Sequence, residues 1–208
     1  MEHIIPQVTA FPDWDTIPAI PIDTYSWGGE YRPKAEARIC FIPDQGFAVR
    51  LCCWEQNPRA VFTENDNMVC QDSCLECFLD FAPENPKIGY LNLEANSKGT
   101  QWCQYGVDRH HRTFLREKGI PYPVLTPFMD SQCWGYTAVF PLETIQTIYG
   151  KGSFQEGDML RGNFYKCGDL TQFPHYGSWT KIDWPEPDFH RPEFFGTFIL
   201  GKAADNIR

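Results

Sequence analysis

The stretch Ser73-Cys74-Leu75-Glu76-Cys77-Phe78-Leu79-Asp80-Phe81 alternates in character with the two-residue period of a β-strand, in which successive side chains point to opposite faces. One face would carry Glu76 and Asp80 together with an aromatic ring. The other face would carry only apolar side chains, namely Leu75, Cys77, Leu79 and Phe81. The stretch therefore predicts a strand with one face in a hydrophobic core and one face on which polar chemistry can lie.

The same period recurs along the chain. It predicts further strands over residues 35–41, 47–55, 90–96, 100–105, 122–128, 133–140, 159–166 and 194–200. Residues 141–149 have helical spacing instead, since Pro141 can begin a helix and Gly150 can end it. Roughly eight to ten strands with one short helix predict an all-β fold, a two-sheet antiparallel β-sandwich of jelly-roll type.

A chain of 208 residues can bury one substantial core, so we expect a single domain over residues 1–208. Residues 1–31 show neither period and are rich in proline, aspartate and aromatic residues, and we expect them to form an extended lead-in packed on the sandwich. Residues 174–192 are the most irregular segment, and long loops of this kind often carry function.

The net charge indicates which kinds of partner are excluded, and the cysteines indicate the redox state of the compartment. A formal net charge of -9 would repel the phosphates of nucleic acids and anionic lipids, so we expect neither nucleic acid nor a membrane as a partner. The nine cysteines are an odd number, and the neighbours Cys52 and Cys53 would point to opposite faces of a strand. With no basic and apolar leader at the start, these features indicate reduced thiols and a cytoplasmic location.

Two motifs have plain structural interpretations. Cys70, Cys74 and Cys77 match the spacing with which radical enzymes hold an iron–sulfur cluster, but alternation would separate Cys74 from Cys77, and buried free cysteines are favoured. Arg109-His110-His111-Arg112 could bind a metal or an anion, but its arginines repel cations, which favours a solvated loop. Arg109 could still donate hydrogen bonds to a ligand.

Glu76, Asp80 and Glu94 could face one another across neighbouring strands. Two carboxyl groups that flank a glycosidic bond are the machinery of glycoside hydrolases. Carboxylates on a strand face also serve as plain hydrogen-bond acceptors. A glycan-active hydrolase or lyase that uses Glu76 with Asp80 or Glu94 is therefore one functional alternative.

Several segments in both halves of the chain have the character of family motifs. In the N-terminal half they include Glu55-Gln56-Asn57-Pro58-Arg59-Ala60 and Asp72-Ser73 with Glu76. In the C-terminal half they are Arg161-Gly162-Asn163-Phe164-Tyr165-Lys166-Cys167-Gly168-Asp169, His175-Tyr176-Gly177-Ser178-Trp179 and Pro187-Asp188-Phe189-His190-Arg191-Pro192-Glu193-Phe194-Phe195-Gly196. Together these segments resemble the family 9-type carbohydrate-binding modules of the DOMON-like superfamily, in particular a stand-alone subgroup, and the resemblance spans nearly the whole chain.

The resemblance implies a sandwich that binds plant-type glucan or xylan oligosaccharides without cleaving them, within carbohydrate catabolism, with no required cofactor and often with structural calcium. The second stacking tryptophan of the family has no counterpart, because Met68-Val69-Cys70-Gln71 stands at its position. The sugar-binding residues that the resemblance implies are Trp179 as a stacking plate, Glu76 and Asn92 as acceptor and amide partner, Arg109 as donor, and His175 and Tyr176 at the rim.

Two further hypotheses concern a bound haem and a bound calcium ion. The wider superfamily suggests haem binding, with Met159 and His190 as ligands. Oxygen donors cluster at Glu64-Asn65-Asp66-Asn67, where calcium could bind, although a solvated acidic turn is the commoner explanation.

Overall fold

The computed structural model describes residues 1–203 and confirms the all-β class. Residues 204–208 of the predicted domain lie outside the described residues. The strands, numbered in chain order, are β1 (Glu2–Ile5), β2 (Ile20–Pro21), β3 (Thr24–Gly28), β4 (Ala35–Ile42), β5 (Gly46–Cys53), β6 (Cys74–Asp80), β7 (Tyr90–Asn96), β8 (Gln101–Gly106), β9 (Arg112–Phe114), β10 (Val124–Met129), β11 (Trp134–Pro141), β12 (Met159–Cys167), β13 (His175–Ser178) and β14 (Gly196–Leu200).

Two sheets contain these strands. The first has the order β1-β14-β12-β6-β7-β8-β9, and β13 pairs with β12 on one side and with β3 on the other. The second has the order β10-β11-β5-β4-β2. Neighbouring strands run antiparallel, except that β1 runs parallel to β14. The predicted two-sheet antiparallel sandwich is confirmed.

The main hydrophobic core lies between the two sheets. Strand β6 contributes the face that its alternation predicts, because Leu75, Cys77 and Leu79 are fully buried there. From the second sheet, Phe47 and Val49 of β5 pack into the same core. Burial of each large apolar side chain contributes roughly 1.5–3 kcal/mol relative to leaving it exposed, so this layer supplies the main stabilisation of the fold.

The opposite face of the first sheet is covered as well. Phe78 and Tyr165 belong to a second apolar cluster. In it, Ile182 and Phe189 from the irregular segment 174–192, and Phe195 just before β14, lie on the sheet. The acids and amides of that face are therefore largely closed off from water. This cover creates the setting for a pocket on the outer face of the first sheet.

Residues 1–31 differ from the expected lead-in. They contain β1, β2 and β3, which add to both sheets, and Ile5 and Ile20 are buried in the main core. These strands are two to five residues long and several prolines lie between them, so they are too short to show a period in the sequence.

The helix α1 spans Leu142–Tyr149 and agrees with the prediction to within one residue. Pro141 precedes it, and Gly150 ends it with a left-handed φ of 71°. Ile145 and Tyr149 pack into the main core. Within residues 1–203, the helices all fall short of the length and apolar character needed to cross a bilayer.

All nine cysteines are free thiols. Cys77 lies in the core between the sheets, whereas Cys74 belongs to the cluster on the outer face of the first sheet. Strand alternation therefore separates these two sulfurs, as the sequence predicts. An iron–sulfur cluster bound by Cys70, Cys74 and Cys77 does not fit this arrangement.

Candidate functional site

A cavity of about 230 Å³ opens on the outer face of the first sheet. Its floor comes from strands β6, β7 and β12, and its walls come from the loops that follow β8, β12 and β13. The lining residues are Cys70, Glu76, Glu94, Arg109, Cys167, Asp169, Tyr176, Pro187, Asp188, Phe189 and His190. Charged and polar groups thus dominate the lining.

The register of four strands sets the floor. Tyr165 lies directly opposite Glu76, Glu76 opposite Glu94, and Glu94 opposite Trp102. Directly opposed residues in an antiparallel pair point to the same face, with their side chains close together. The pairing therefore brings two carboxyl groups, both almost completely buried, side by side beneath the cavity.

Burial controls the protonation of these two acids. It raises the pKa of Glu76 well above the usual range, and the charge of Glu94 raises that pKa further. Burial also raises the pKa of Glu94, to about 7, against the opposing effect of the Asn92 amide, which donates to Glu94 Oε1 at 2.8 Å. At least one of the two carboxyls is protonated near neutral pH, so the floor can both donate and accept hydrogen bonds.

The wall formed by residues 187–190 is fixed by contacts to the sheet. The Phe189 ring stacks on Tyr165 with 4.1 Å between the ring centroids, and the Tyr165 hydroxyl donates to the Phe189 carbonyl at 3.1 Å. Asp188 accepts from Arg109 Nε at 2.9 Å. His190 Nδ1 lies 2.8 Å from the Tyr90 hydroxyl, and burial lowers its pKa well below the usual value. The neutral imidazole of His190 and the ion pair between Arg109 and Asp188 therefore border the opening of the cavity.

Three of the sequence-predicted residues, Glu76, Arg109 and Tyr176, line this one cavity. Asn92 is fully buried behind the floor, where its amide donates to Glu94 and its Oδ1 accepts from Arg112 Nε at 3.1 Å. Asn92 therefore orients an acid of the floor and does not line the cavity.

The structure corrects the expected exposure of Trp179. Its side chain is only 5% exposed and packs in the main core, with 4.8 Å between its ring centroid and that of Phe198. Tyr176 and Trp179 are an odd number of residues apart, so alternation along β13 and its continuation sends them to opposite faces. Since Tyr176 faces the cavity, Trp179 cannot stack on a ligand there.

His175 is also placed differently from the prediction. It is fully buried, its Nε2 lies 2.7 Å from Lys166 Nζ, and its Nδ1 lies 2.7 Å from the Phe173 carbonyl oxygen. It shares the face of Trp179 and not that of Tyr176, for the same reason of alternation. His175 therefore belongs to a buried polar network and not to the rim of the cavity.

Sequence reasoning missed several lining residues. The sequence suggests Glu94 as a catalytic partner or a plain acceptor and His190 as a haem ligand, and it assigns no role to Asp169. Glu94 has a detectable signal, since it alternates on the same strand as Asn92. For Asp169 and His190 the sequence carries no comparable signal, because both reach the cavity from loops whose path depends on tertiary contacts.

The structure bears on two alternative functions, glycan cleavage by Glu76 with Asp80 and haem binding by Met159 with His190. Asp80 lies opposite Arg161 at the end of β6 and does not line the cavity, so Glu94 is the acid that accompanies Glu76. Met159 lines a different cavity from the one lined by His190, so these two residues do not form a pair of haem ligands.

Two oxygen donors of the turn at residues 64–67, where calcium is a hypothesis, have partners within the protein. The Asp66 carboxylate pairs with Arg116 and accepts from the Tyr122 hydroxyl, and Asn65 Oδ1 accepts from the Gln101 backbone amide at 3.0 Å. A guanidinium thus already neutralises the Asp66 carboxylate, which leaves fewer free ligands for a calcium ion.

Solved structures show the same architecture. A putative carbohydrate-binding protein from Bacteroides uniformis is 25% identical, with a TM-score of 0.80 over 96% of this chain and 98% of that one. A family 9 carbohydrate-binding module from Caldicellulosiruptor kristjanssonii, solved with cellotriose, is 12% identical, with a TM-score of 0.64 over 100% of this chain and 97% of that one. A structure described as such a module from the same organism with glucose is 13% identical, with a TM-score of 0.61 over 100% of both chains.

A search of curated proteins found no match. The family model described as carbohydrate-binding family 9 matches residues 7–200, which is nearly the whole chain. The two-sheet sandwich and this match agree. The chain belongs to carbohydrate-binding family 9.

Proposed function

We propose that the cavity binds one sugar ring of a glucan or xylan oligosaccharide and does not cleave it. The observation that carries the proposal is the floor of the cavity, where the buried Glu76 and Glu94 lie side by side. Two solved family 9 modules are described in complex with cellotriose and with glucose, which supports a sugar of this class. The volume lies below the roughly 300 Å³ at which drug-sized pockets begin, which suits a single ring.

Each lining group has a role in this proposal. Glu76 and Glu94 accept hydrogen bonds from sugar hydroxyls, and the protonated one of the two can donate. Arg109 donates from the rim, and the half-buried ring of Tyr176 supplies an apolar surface for the C–H face of the sugar. A handful of net hydrogen bonds of about 0.5–1.5 kcal/mol each implies affinity in the micromolar to millimolar range.

Calorimetry with cello- and xylo-oligosaccharides tests the proposal. We expect saturable binding by the wild-type chain, and a loss of roughly 10–100-fold in affinity for Glu94→Gln, because a hydrogen bond to a charged group is worth about 1.5–3 kcal/mol. The matched control is Glu156→Gln, which changes an exposed acid outside the cavity and should bind like the wild type. Wild-type affinity in Glu94→Gln would contradict the proposed site.

A hydrolase is the second candidate, and the side-by-side arrangement of Glu76 and Glu94 favours it. A carboxyl whose pKa is raised by burial is the form that a general acid takes. Chromatography of the same oligosaccharides after long incubation separates the two functions. We expect intact oligosaccharide, and product that disappears in Glu94→Gln would establish the hydrolase.

A further inference from the structure

Two thiols and a carboxylate meet at the floor of the cavity. Cys74 on β6 lies directly opposite Cys167 on β12, and Glu76 follows two residues after Cys74 on the same face of its strand. The two sulfur atoms and one carboxylate oxygen all lie within 4.8 Å of one another. All three residues are at most 2% exposed. Strand pairing, and not a flexible loop, therefore holds these three donors together.

A hydrogen bond joins two of these groups, and the third lies beside them. The Cys167 thiol donates to Glu76 Oε1, with 3.0 Å between sulfur and oxygen, and the Cys74 sulfur lies within 4.8 Å of both. Two thiols and a carboxylate have the composition of a site for a metal ion that prefers sulfur, with the thiol protons in the place of the metal.

The surroundings favour a cation and leave it a path of entry. Glu76 and Cys167 line the cavity, so two of the three donors can be reached through its opening. Glu94 and Asp169 add two more acidic groups to the lining, and the guanidinium of Arg109, which also lines the cavity, is paired with Asp188 at 2.8 Å. The buried ammonium of Lys166 faces away from the three donors, toward Glu55 Oε2 at 3.2 Å and His175.

We propose that Cys74, Cys167 and Glu76 bind a divalent metal ion that prefers sulfur, such as Zn²⁺, with its fourth coordination position open to the cavity. Zinc takes a tetrahedral set with Zn–S distances of about 2.3 Å and Zn–O distances of about 2.0–2.2 Å. Binding exchanges the two thiol protons for the metal and releases them to solvent, with no change in oxidation state.

Cobalt is the spectroscopic probe for this site. The reduced, metal-free chain is titrated with Co²⁺ under anaerobic conditions, and we expect one equivalent to produce a thiolate-to-cobalt charge-transfer band together with the visible bands of tetrahedral cobalt. Zinc should then displace the cobalt and release at least two protons per ion, read with an indicator dye in weak buffer. A wild-type chain without the thiolate band would overturn the proposal.

Variants assign the ligands. Cys74→Ser and Cys167→Ser should each lose the band, whereas Cys77→Ser, on the same strand but the opposite face, should keep it. Circular dichroism confirms that each variant is folded. A band that persists in the Cys74→Ser/Cys167→Ser double variant would place the metal at other thiols and overturn the proposal.

Glu76→Gln keeps both thiols and tests the carboxylate separately, even if a serine variant fails to fold. We expect its thiolate band to remain while its zinc affinity falls by at least the roughly 10–100-fold that is typical for loss of a partner of a metal ligand. If Glu76→Gln binds zinc with wild-type affinity, the carboxylate is not a ligand and the proposed three-residue site is wrong. The inference does not depend on sugar binding, because the readouts are optical and contain no sugar.

Discussion

At the residue scale, Trp179 and Tyr176 show how alternation decides a role. Both are aromatic residues of one short motif, yet Tyr176 lines the cavity and Trp179 lies in the main core. Gly196 accommodates the indole, since a Cβ atom there would approach Trp179 Cζ3 to 2.5 Å. The indole is thus part of the packing that joins β13 to β14, and its expected contribution is to stability.

Replacement of Trp179 should affect stability and not sugar recognition. We expect Trp179→Ala to lower the free energy of unfolding by about 3–5 kcal/mol, because it empties a large volume in the core. Urea unfolding measures this change. Tyr176→Ala is the comparison, since it should weaken sugar binding at a smaller cost in stability. A Trp179→Phe variant that stays folded but loses sugar affinity would contradict this assignment.

At the element scale, a buried polar network ties β12 and β13 to the loop after β5. Lys166 on β12 is fully buried and contacts Glu55 Oε2 at 3.2 Å and His175 Nε2 at 2.7 Å. Glu55 also accepts from Ser73 at 3.0 Å and from the indole of Trp134 at 3.2 Å. A buried cation remains tolerable only when its partners stay in place, so this network makes the junction sensitive to protonation.

Acid should weaken the junction of β12 and β13 with the loop after β5, and so lower the stability of the folded chain. Burial and the charge of Lys166 lower the pKa of His175 to about 4, below the ordinary value of 6.5. The unfolded chain therefore binds a proton more tightly than the folded one, and stability falls as the pH drops from 6.5 toward 4. The slope from this one group reaches at most about 1.4 kcal/mol per pH unit.

Urea unfolding over this pH interval measures the slope for wild type and for His175→Gln. Glutamine can keep a polar contact to Lys166 but does not titrate, so we expect a shallower dependence on pH in the variant. His110→Gln is the control, because His110 is exposed and should leave the slope unchanged. Equal slopes in wild type and His175→Gln would show that another group governs the acid response.

At the scale of the whole molecule, the first sheet is packed on both of its faces. The second sheet covers one face and residues 182–195 cover the other, so the four cysteines on strands of the first sheet, Cys74, Cys77, Cys103 and Cys167, are withdrawn from solvent. Burial raises the pKa of Cys77 well above its usual value, and it raises that of Cys40, on β4 of the second sheet, to about 12. Such thiols are poorly reactive in the folded state. We propose on this basis that the protein works in a reducing compartment.

Thiol titration checks the redox state. We expect about nine reactive thiols per chain in denaturant without reductant, in line with the free cysteines. Far fewer should react in the folded protein, since only Cys70 and Cys133 are partly exposed. Fewer than nine thiols in denaturant would reveal a disulfide, and the directly opposed pair Cys74 and Cys167 would be the first place to look.

Local sequence was sufficient for the longer elements and for the residues that share a face in each of them. The two-residue period predicts β4, β6 and β7 to within one or two residues, because apolar side chains on one face must meet a core. Proline and glycine likewise bound α1, since they act on the backbone of their own neighbourhood. The resemblance in the C-terminal half also led to the correct family.

Only the tertiary structure decided how those elements combine. Pairing of β6 with β7 and β12 joins residues far apart in sequence, and it alone brings Glu76 beside Glu94 and Cys74 beside Cys167. The cover over the outer face depends on loops without a period, and the short strands β1 and β3 depend on β14 and β13, which lie far along the chain. The sequence by itself determined which side chains of a strand share a face, whereas strand register and loop path, which arise from long-range packing, determined which side chains meet.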